Sequence, residues 1–263
     1  YINGWTTSST QYIKIWTDPS EGYRHSGKWS TGNKYRLQLS NYWACIYLDQ
    51  TPLHIKIIGL QIYSTDTSGV DSCIHSSGAT AGDDITVSHC VLRNTPGDSS
   101  NSFGFYYISY QTSGSSTLKI YNNIIYDSGE RGLYVSTVSA GGVLYAYIYN
   151  NTIIDAYGYG MYLSQNWNTG TGSYYVRNNI IQGSGTQDYY VPDPSQCQPT
   201  TSKNITSDTS SPDSSYRSKT VSFADRDNDD FHLSSSDTEA RGNGDNLYND
   251  SYLPFQDDID GQD

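Results

Sequence analysis

The sequence predicts an all-β fold, a right-handed parallel β-helix with irregular N-terminal coils and an acidic C-terminal segment. Three observations carry that prediction. The first is a recurring phrase: Ile120-Tyr121-Asn122-Asn123-Ile124-Ile125, Ile148-Tyr149-Asn150-Asn151-Thr152-Ile153 and Val176-Arg177-Asn178-Asn179-Ile180-Ile181. Weaker copies stand at Ile57-Ile58-Gly59-Leu60-Gln61-Ile62, Val87-Ser88-His89-Cys90-Val91-Leu92 and Lys203-Asn204-Ile205-Thr206. With the second Asn or its equivalent as marker, the copies fall at 60, 90, 123, 151, 179 and 204, in steps of 30, 33, 28, 28 and 25. Self-similarity at that period describes a stacked array in which each repeat buries its neighbour's open face. The second observation is the alternation inside each copy. Leu118 and Ile120 oppose Lys119 and Tyr121, Ala146 and Ile148 oppose Tyr147 and Tyr149, and Tyr174 and Val176 oppose Tyr175 and Arg177. Period two is the mark of a half-buried strand. The third is a further strand after each phrase, at Tyr106-Tyr107-Ile108, Leu133-Tyr134-Val135, Met161-Tyr162-Leu163 and Tyr189-Tyr190-Val191. Gly, Ser, Thr, Asn and Asp fill the gaps, and helical periodicity is almost absent.

Residues 1–52 read as irregular first coils, with alternating strands at 12–16 and 35–39. Tyr1-Ile2-Asn3-Gly4-Trp5 already reads as a strand entering a turn, so a segment upstream is expected. Residues 53–207 hold the regular coils, with polar excursions around 65–70 and 95–102. Ile120, Ile148, Val176, Leu133, Met161 and Val135 are the expected inward residues. The sharp corner needs a residue that tolerates bent backbone and donates to the next coil. Asn123, Asn151, Asn179 and Asn204 fit as a stacked ladder, with Leu60 and Cys90 in that place upstream. From 192 to 220 the pattern fades among Pro192, Pro194, Pro199 and Pro212. Beyond it, Val221-Ser222-Phe223 and Phe231-His232-Leu233 form a last coil or pack along the side. The organisation is therefore a β-helix over 1–207 and a capping or side-packing segment over 208–263.

At this point the chain resembles the right-handed β-helix repeat proteins of the pectin-lyase-like superfamily, in an uncharacterised secreted or phage-borne subgroup. The resemblance rests on Asn3-Gly4-Trp5-Thr6-Thr7-Ser8, His25-Ser26-Gly27-Lys28-Trp29, Ile58-Gly59-Leu60-Gln61-Ile62, Asp230-Phe231-His232-Leu233 and Asp257-Asp258-Ile259-Asp260-Gly261-Gln262. It implies the fold. It does not imply one activity, because such folds carry lyases, hydrolases, adhesins and viral spikes. Polygalacturonase-like members carry Asn-Thr-Asp, Asp-Asp, Gly-His-Gly and Arg-x-Lys motifs on successive coils. Within the regular coils at 53–207 only Asp83-Asp84 matches, and it precedes a strand as a turn would. Lyase-like members need a calcium cluster of acids beside an Arg or Lys. Lys119 and Arg177 point outward on the regular strands, with no row of acids beside them.

The formal charge is −12 over 263 residues. Without a basic stripe to meet phosphates, nucleic-acid binding is not expected. No apolar run approaches the roughly 20 residues of a membrane span. Cys45 and Cys73 lie one coil apart and each precedes Ile, so they stack, either as a disulfide in an oxidising compartment or as two buried thiols. Cys90 reads as a core thiol and Cys197 as a loop thiol. His89 occupies a corner, His75 lies beside the Cys pair, and His232 belongs to a terminal structural phrase. No cofactor is expected, with Ca²⁺ the one candidate, at Asp225, Asp227 and Asp229. That run lacks the Gly and the Glu of a calcium loop, and a solvated turn is the simpler reading. Asp257, Asp258 and Asp260 form a second acidic cluster of the same kind.

Tyrosine is in excess, 26 against 15 Lys and Arg together. Tyr107, Tyr134, Tyr162 and Tyr190 are expected as one outward column, Tyr147 and Tyr175 as a second, and Tyr121 and Tyr149 as a third. Such columns stack on themselves and also suit sugar rings or another protein's face. The expected function is an extracellular, cell-surface or virion-surface structural or adhesive protein. It self-associates, or it binds a polysaccharide, cell-surface glycan or partner protein, and it is non-catalytic. A polysaccharide lyase or glycoside hydrolase is the alternative.

Overall fold

Alternating apolar residues give every coil three short strands, each with one face that must be buried. In the computed structural model these strands stack as a parallel β-solenoid; it describes residues 1–40, 43–49, 53–65, 71–94, 101–138, 141–165 and 171–260. The first sheet has seven strands, from Ile13–Trp16 through Ser115–Tyr121, Val143–Tyr149 and Thr171–Arg177 to Thr200–Ser202. The second has seven, from Arg36–Leu39 through Ile124–Tyr126 to Ile205–Thr206. The third has six: Ala44–Asp49, Asp71–Ala79, Ser102–Ser109, Arg131–Thr137, Tyr159–Gln165 and Gln187–Tyr190. The excursions around 65–70 and 95–102 fall largely outside the described residues. Among those described, no helix is long and apolar enough to cross a membrane.

Register makes the core a set of vertical rows. Ile57, Val87, Ile120, Ile148 and Val176 lie above one another in the first sheet. Ile74, Phe105, Leu133, Met161 and Tyr189 do so in the third. All six expected inward residues are buried. Each such side chain stabilises the stack by about 1.5–3 kcal/mol relative to exposure.

At the corner between first and second sheets, two adjacent residues divide the work. His89, Asn122, Asn150, Asn178 and Lys203 take the left-handed backbone, a conformation Asn tolerates better than most residues. The next residue makes the ladder. Asn123 Nδ2 donates to Asn151 Oδ1, Asn151 Nδ2 to Asn179 Oδ1 and Asn179 Nδ2 to Asn204 Oδ1, at 3.0, 3.0 and 2.8 Å. Cys90 N–H donates to Asn123 Oδ1 at 3.0 Å, so the ladder starts at Asn123. In the third sheet Gly104, Gly132 and Gly160 share one rung. A Cβ on any of them would lie 2.3–2.6 Å from the Ile125, Ile153 or Ile181 methyl of the second sheet. The missing side chains let the second and third sheets close on each other.

After the last parallel strand the chain runs back along the solenoid. The antiparallel pair Phe223–Asp225 and Asp230–Leu233 lays Phe231 against Val91, Ile124, Tyr126 and Ile154 on the outside of the second sheet. Leu247, Leu253 and Phe255 then cover Tyr147, Tyr149, Tyr121 and Tyr175 on the outside of the first. Arg177 bonds Asp250 at 2.8 Å and Lys203 pairs with Asp245 at 3.2 Å. Lys119 pairs with Asp84 of the neighbouring coil at 2.9 Å. Both outward cations of the regular strands therefore have carboxylate partners, which a row search along their own strands misses.

Candidate functional site

Two of the three outer faces are thus occupied by the chain itself. Among the described residues, neither hydrophobic cluster built by the C-terminal segment lies on the third sheet. Its outer face carries one aromatic column. The register stacks Tyr47 on His75, His75 on Tyr106, Tyr106 on Tyr134, Tyr134 on Tyr162 and Tyr162 on Tyr190. Ring centroids follow at 5.0, 4.3, 5.1, 5.2 and 5.1 Å. Tyr1 extends the column over Tyr47 at 5.4 Å, nearly coplanar. Its hydroxyl bonds the Asp49 carboxylate. Offset and edge-to-face pairs at these distances add stability beyond the area they bury.

One cation sits in the column. The Arg131 guanidinium lies 4.2 Å from the Tyr162 ring centre and 4.6 Å from that of Tyr134. Glu130 pairs with it at 2.6 Å. Tyr159 widens the aromatic surface by stacking on Tyr190 at 4.6 Å. Burial pushes His75 down to about 4 and raises Tyr106 and Tyr162, so these rings are neutral at pH 7. The face is therefore aromatic and polar at its edges, with the Arg131–Glu130 pair among its rings and the Asp49 carboxylate at its Tyr1 end.

Tyr134, Tyr162 and Tyr190 stand where the sequence places them. Tyr107 does not. It pairs in register with Val135, faces the core and is fully buried, and Tyr106 takes the outward place. The signal was in the spacing: 107 to 134 is 27 residues, whereas 106 to 134 is 28, the step of the next two coils. The His75 and Tyr47 rungs were missed because a His interrupts the Tyr series and the step from 75 to 106 is 31 residues, although the step from 47 to 75 is again 28. Tyr147, Tyr175, Tyr121 and Tyr149 are not a free surface. Tyr149 is buried, Tyr147 nearly so, and Tyr252 stacks on both Tyr147 and Tyr175 at 5.5 and 4.6 Å.

The remaining candidates have structural partners. Cys45 and Cys73 stack, since Ala44 pairs with Ser72 and Ile46 with Ile74, but both thiols are free. Cys45 Sγ donates to Tyr63 O at 3.5 Å and Cys73 Sγ to Arg93 O at 2.9 Å. The thiols point toward second-sheet carbonyls, which fits the thiol alternative. Asp225 accepts from Asn228 Nδ2 at 2.7 Å, and Asp229 accepts from Arg93 at 3.4 Å. Among the described residues no three His, Cys, Asp or Glu side chains are grouped to hold a metal ion, so Asp225, Asp227 and Asp229 do not converge. Asp83 is a buried turn staple, accepting from Leu53 N at 2.6 Å and Thr80 N at 2.9 Å, with its carboxyl pushed up to about 6 by burial. His89 is a corner residue and pairs with Asp257 at 3.2 Å. His232 lies between Asp230 and Asp260. Burial opposes its charge, but its hydrogen bonds to both carboxylates, with their negative charges, outweigh that and raise its pKa.

Compared with protein-family models, curated proteins and solved structures, the chain matches none. Its class rests on its own geometry: a parallel β-solenoid with two faces covered by its own C-terminal segment and an aromatic column on the third.

Proposed function

We propose that this is a non-catalytic structural or adhesive β-solenoid of the cell surface, extracellular space or virion surface. It holds an extended glycan or a partner protein against the outer face of its third sheet. The observation that carries the reading is the seven-ring column on the third sheet, which, among the described residues, the C-terminal segment does not cover. A solenoid needs no such column for solubility, and Tyr combines a flat apolar face with a polar tip, the combination enriched at interfaces. The net charge of −12 disfavours polyanionic partners, so a neutral glycan or a basic protein surface suits it best. The resemblance to the pectin-lyase-like superfamily, in a secreted or phage-borne subgroup, supports the surface setting.

A polysaccharide lyase or glycoside hydrolase is the second reading, favoured by one feature, the Arg131–Glu130 pair among the rings. One experiment addresses both. Neutral and acidic polysaccharides are offered in affinity electrophoresis and in product assays with and without Ca²⁺, and light scattering follows self-association. The expected result is retention on a neutral polymer or concentration-dependent assembly, without new reducing ends or unsaturated products. Turnover on any polymer overturns the non-catalytic reading. Absence of both retention and assembly overturns the contact reading.

A further inference from the structure

A second site lies at the opposite corner, independent of the third-sheet face. The left-handed residues Asn122, Asn150 and Asn178 form a row along the outside of the solenoid, one per coil. The C-terminal segment is pegged at both ends of this row. Asn122 Nδ2 donates to Asp257 O at 2.7 Å. Asn178 exchanges two bonds with Asp245, accepting from its N–H at 2.8 Å and donating to its carbonyl at 2.9 Å. Between the pegs the segment leaves the corner to carry Leu247, Leu253 and Phe255 over the first sheet. What remains over the middle rung is a cleft of about 910 Å³, walled by Phe231 and His232 on one side and by Tyr248 and Phe255 on the other. That volume lies within the range of small-molecule sites.

The chemistry of the cleft is specific. Asn150 borders it, and its Oδ1 is buried with no hydrogen-bond partner. Natural structures rarely leave such an atom unsatisfied without a reason. An amide both donates and accepts, which is the complement of a hydroxyl group. Charges of both signs line the cleft: Lys203 and Arg241 stand against Asp245, Asp257 and Asp258. Asp245 pairs with Lys203 at 3.2 Å and His232 with Asp260 at 2.9 Å. Neither sign dominates the lining, so the cleft does not favour an ion of one charge. Tyr248 is 52% exposed at the rim and offers a platform for a flat, weakly polar ring.

We propose that this cleft binds a short neutral saccharide, with a sugar ring against Tyr248 and its hydroxyls on the amide row centred at Asn150. The test is calorimetric titration of the full chain with cellotetraose, xylotetraose, mannotetraose and, as the acidic counterpart, tetragalacturonate. Three variants are compared: Tyr248→Ala, Asn150→Asp, and Tyr134→Ser with Tyr162→Ser and Tyr190→Ser. Asp tolerates the left-handed backbone at 150. If circular dichroism shows that it perturbs the fold, Asn150→Gly removes the amide and keeps that backbone. The expected result is binding of at least one neutral tetrasaccharide, weakened tenfold or more by Tyr248→Ala and by the change at Asn150, and unchanged in the third-sheet variant. Failure of all three neutral sugars to bind, or preference for tetragalacturonate, overturns the proposal. Loss confined to the third-sheet variant also overturns it, while leaving the contact role of that face standing.

Discussion

Replacing Asn151 by Ala removes the central rung of the ladder without touching the apolar core. Its side chain makes four hydrogen bonds. Nδ2 donates to Ile120 O at 2.9 Å and to Asn179 Oδ1 at 3.0 Å; Oδ1 accepts from Asn123 N at 3.2 Å and Asn123 Nδ2 at 3.0 Å. The site is fully buried, so no water replaces the lost partners. At about 1 kcal/mol net per bond, the loss is about 4 kcal/mol, and the orphaned Asn123 N–H and Ile120 carbonyl keep it from being smaller. Urea unfolding followed by circular dichroism reads it, with exposed Gln198→Ala as the control, expected within about 0.5 kcal/mol of wild type. A double-mutant cycle sharpens the test. Asn151→Ala with Asn179→Ala should cost less than the sum of the two, because they share one Nδ2–Oδ1 bond. A loss below about 1 kcal/mol for Asn151→Ala, or strict additivity with Asn179→Ala, would refute the ladder as a cooperative strut.

Stability should also depend on pH through its histidines. Burial pushes His25 and His75 down to about 4, against 6.5 in the unfolded chain. Between those values the unfolded state binds more protons, so stability is complete above 6.5 and falls as pH drops toward 4, by at most about 3 kcal/mol per histidine. His232 works in the opposite sense, its contribution present below 6.5 and lost as pH rises through its raised folded value. Melting between pH 4 and 7 checks this, and His75→Phe should flatten part of the acid slope; an unchanged slope counts against a neutral buried His75. All four cysteines should titrate as thiols only after unfolding, since burial pushes Cys45 and Cys197 up to about 12 and Cys90 up to about 11. A Cys45–Cys73 peptide in a non-reducing digest would contradict the thiol geometry. Leu253→Ala should loosen the segment over the first sheet by about 2 kcal/mol or more. Faster proteolysis between 245 and 257 would report that, and unchanged cleavage would count against the packing of Leu253 on Tyr149.

The solenoid was legible because its information is local. Period-two alternation and a 28-residue step fix which side chains face inward, and Asn pairs mark the corners at 122, 150 and 178. The error at Tyr107 is instructive for the same reason. Two adjacent tyrosines satisfy the alternation in either register, and only the step to Tyr134 distinguishes them. The fate of the other two columns was not legible. Nothing in Tyr147 or Tyr149 says that Leu247 and Leu253, about 100 residues later, will cover them. Apolar residues set singly in an acidic tail carry no periodic signal of their own. Cys45 and Cys73 show the limit of spacing: one coil apart fixes the rung, but not the direction in which a thiol points.

The most direct test of the contact role is the combined change Tyr134→Ser, Tyr162→Ser and Tyr190→Ser, measured for assembly and polysaccharide retention beside the wild type. All three rings are half-buried on the outer face, so the parallel fold should persist by circular dichroism. The account predicts at least a tenfold loss of polymer retention or self-association with the solenoid intact. Retention and assembly equal to wild type would make the column a self-stacking surface and contradict the account.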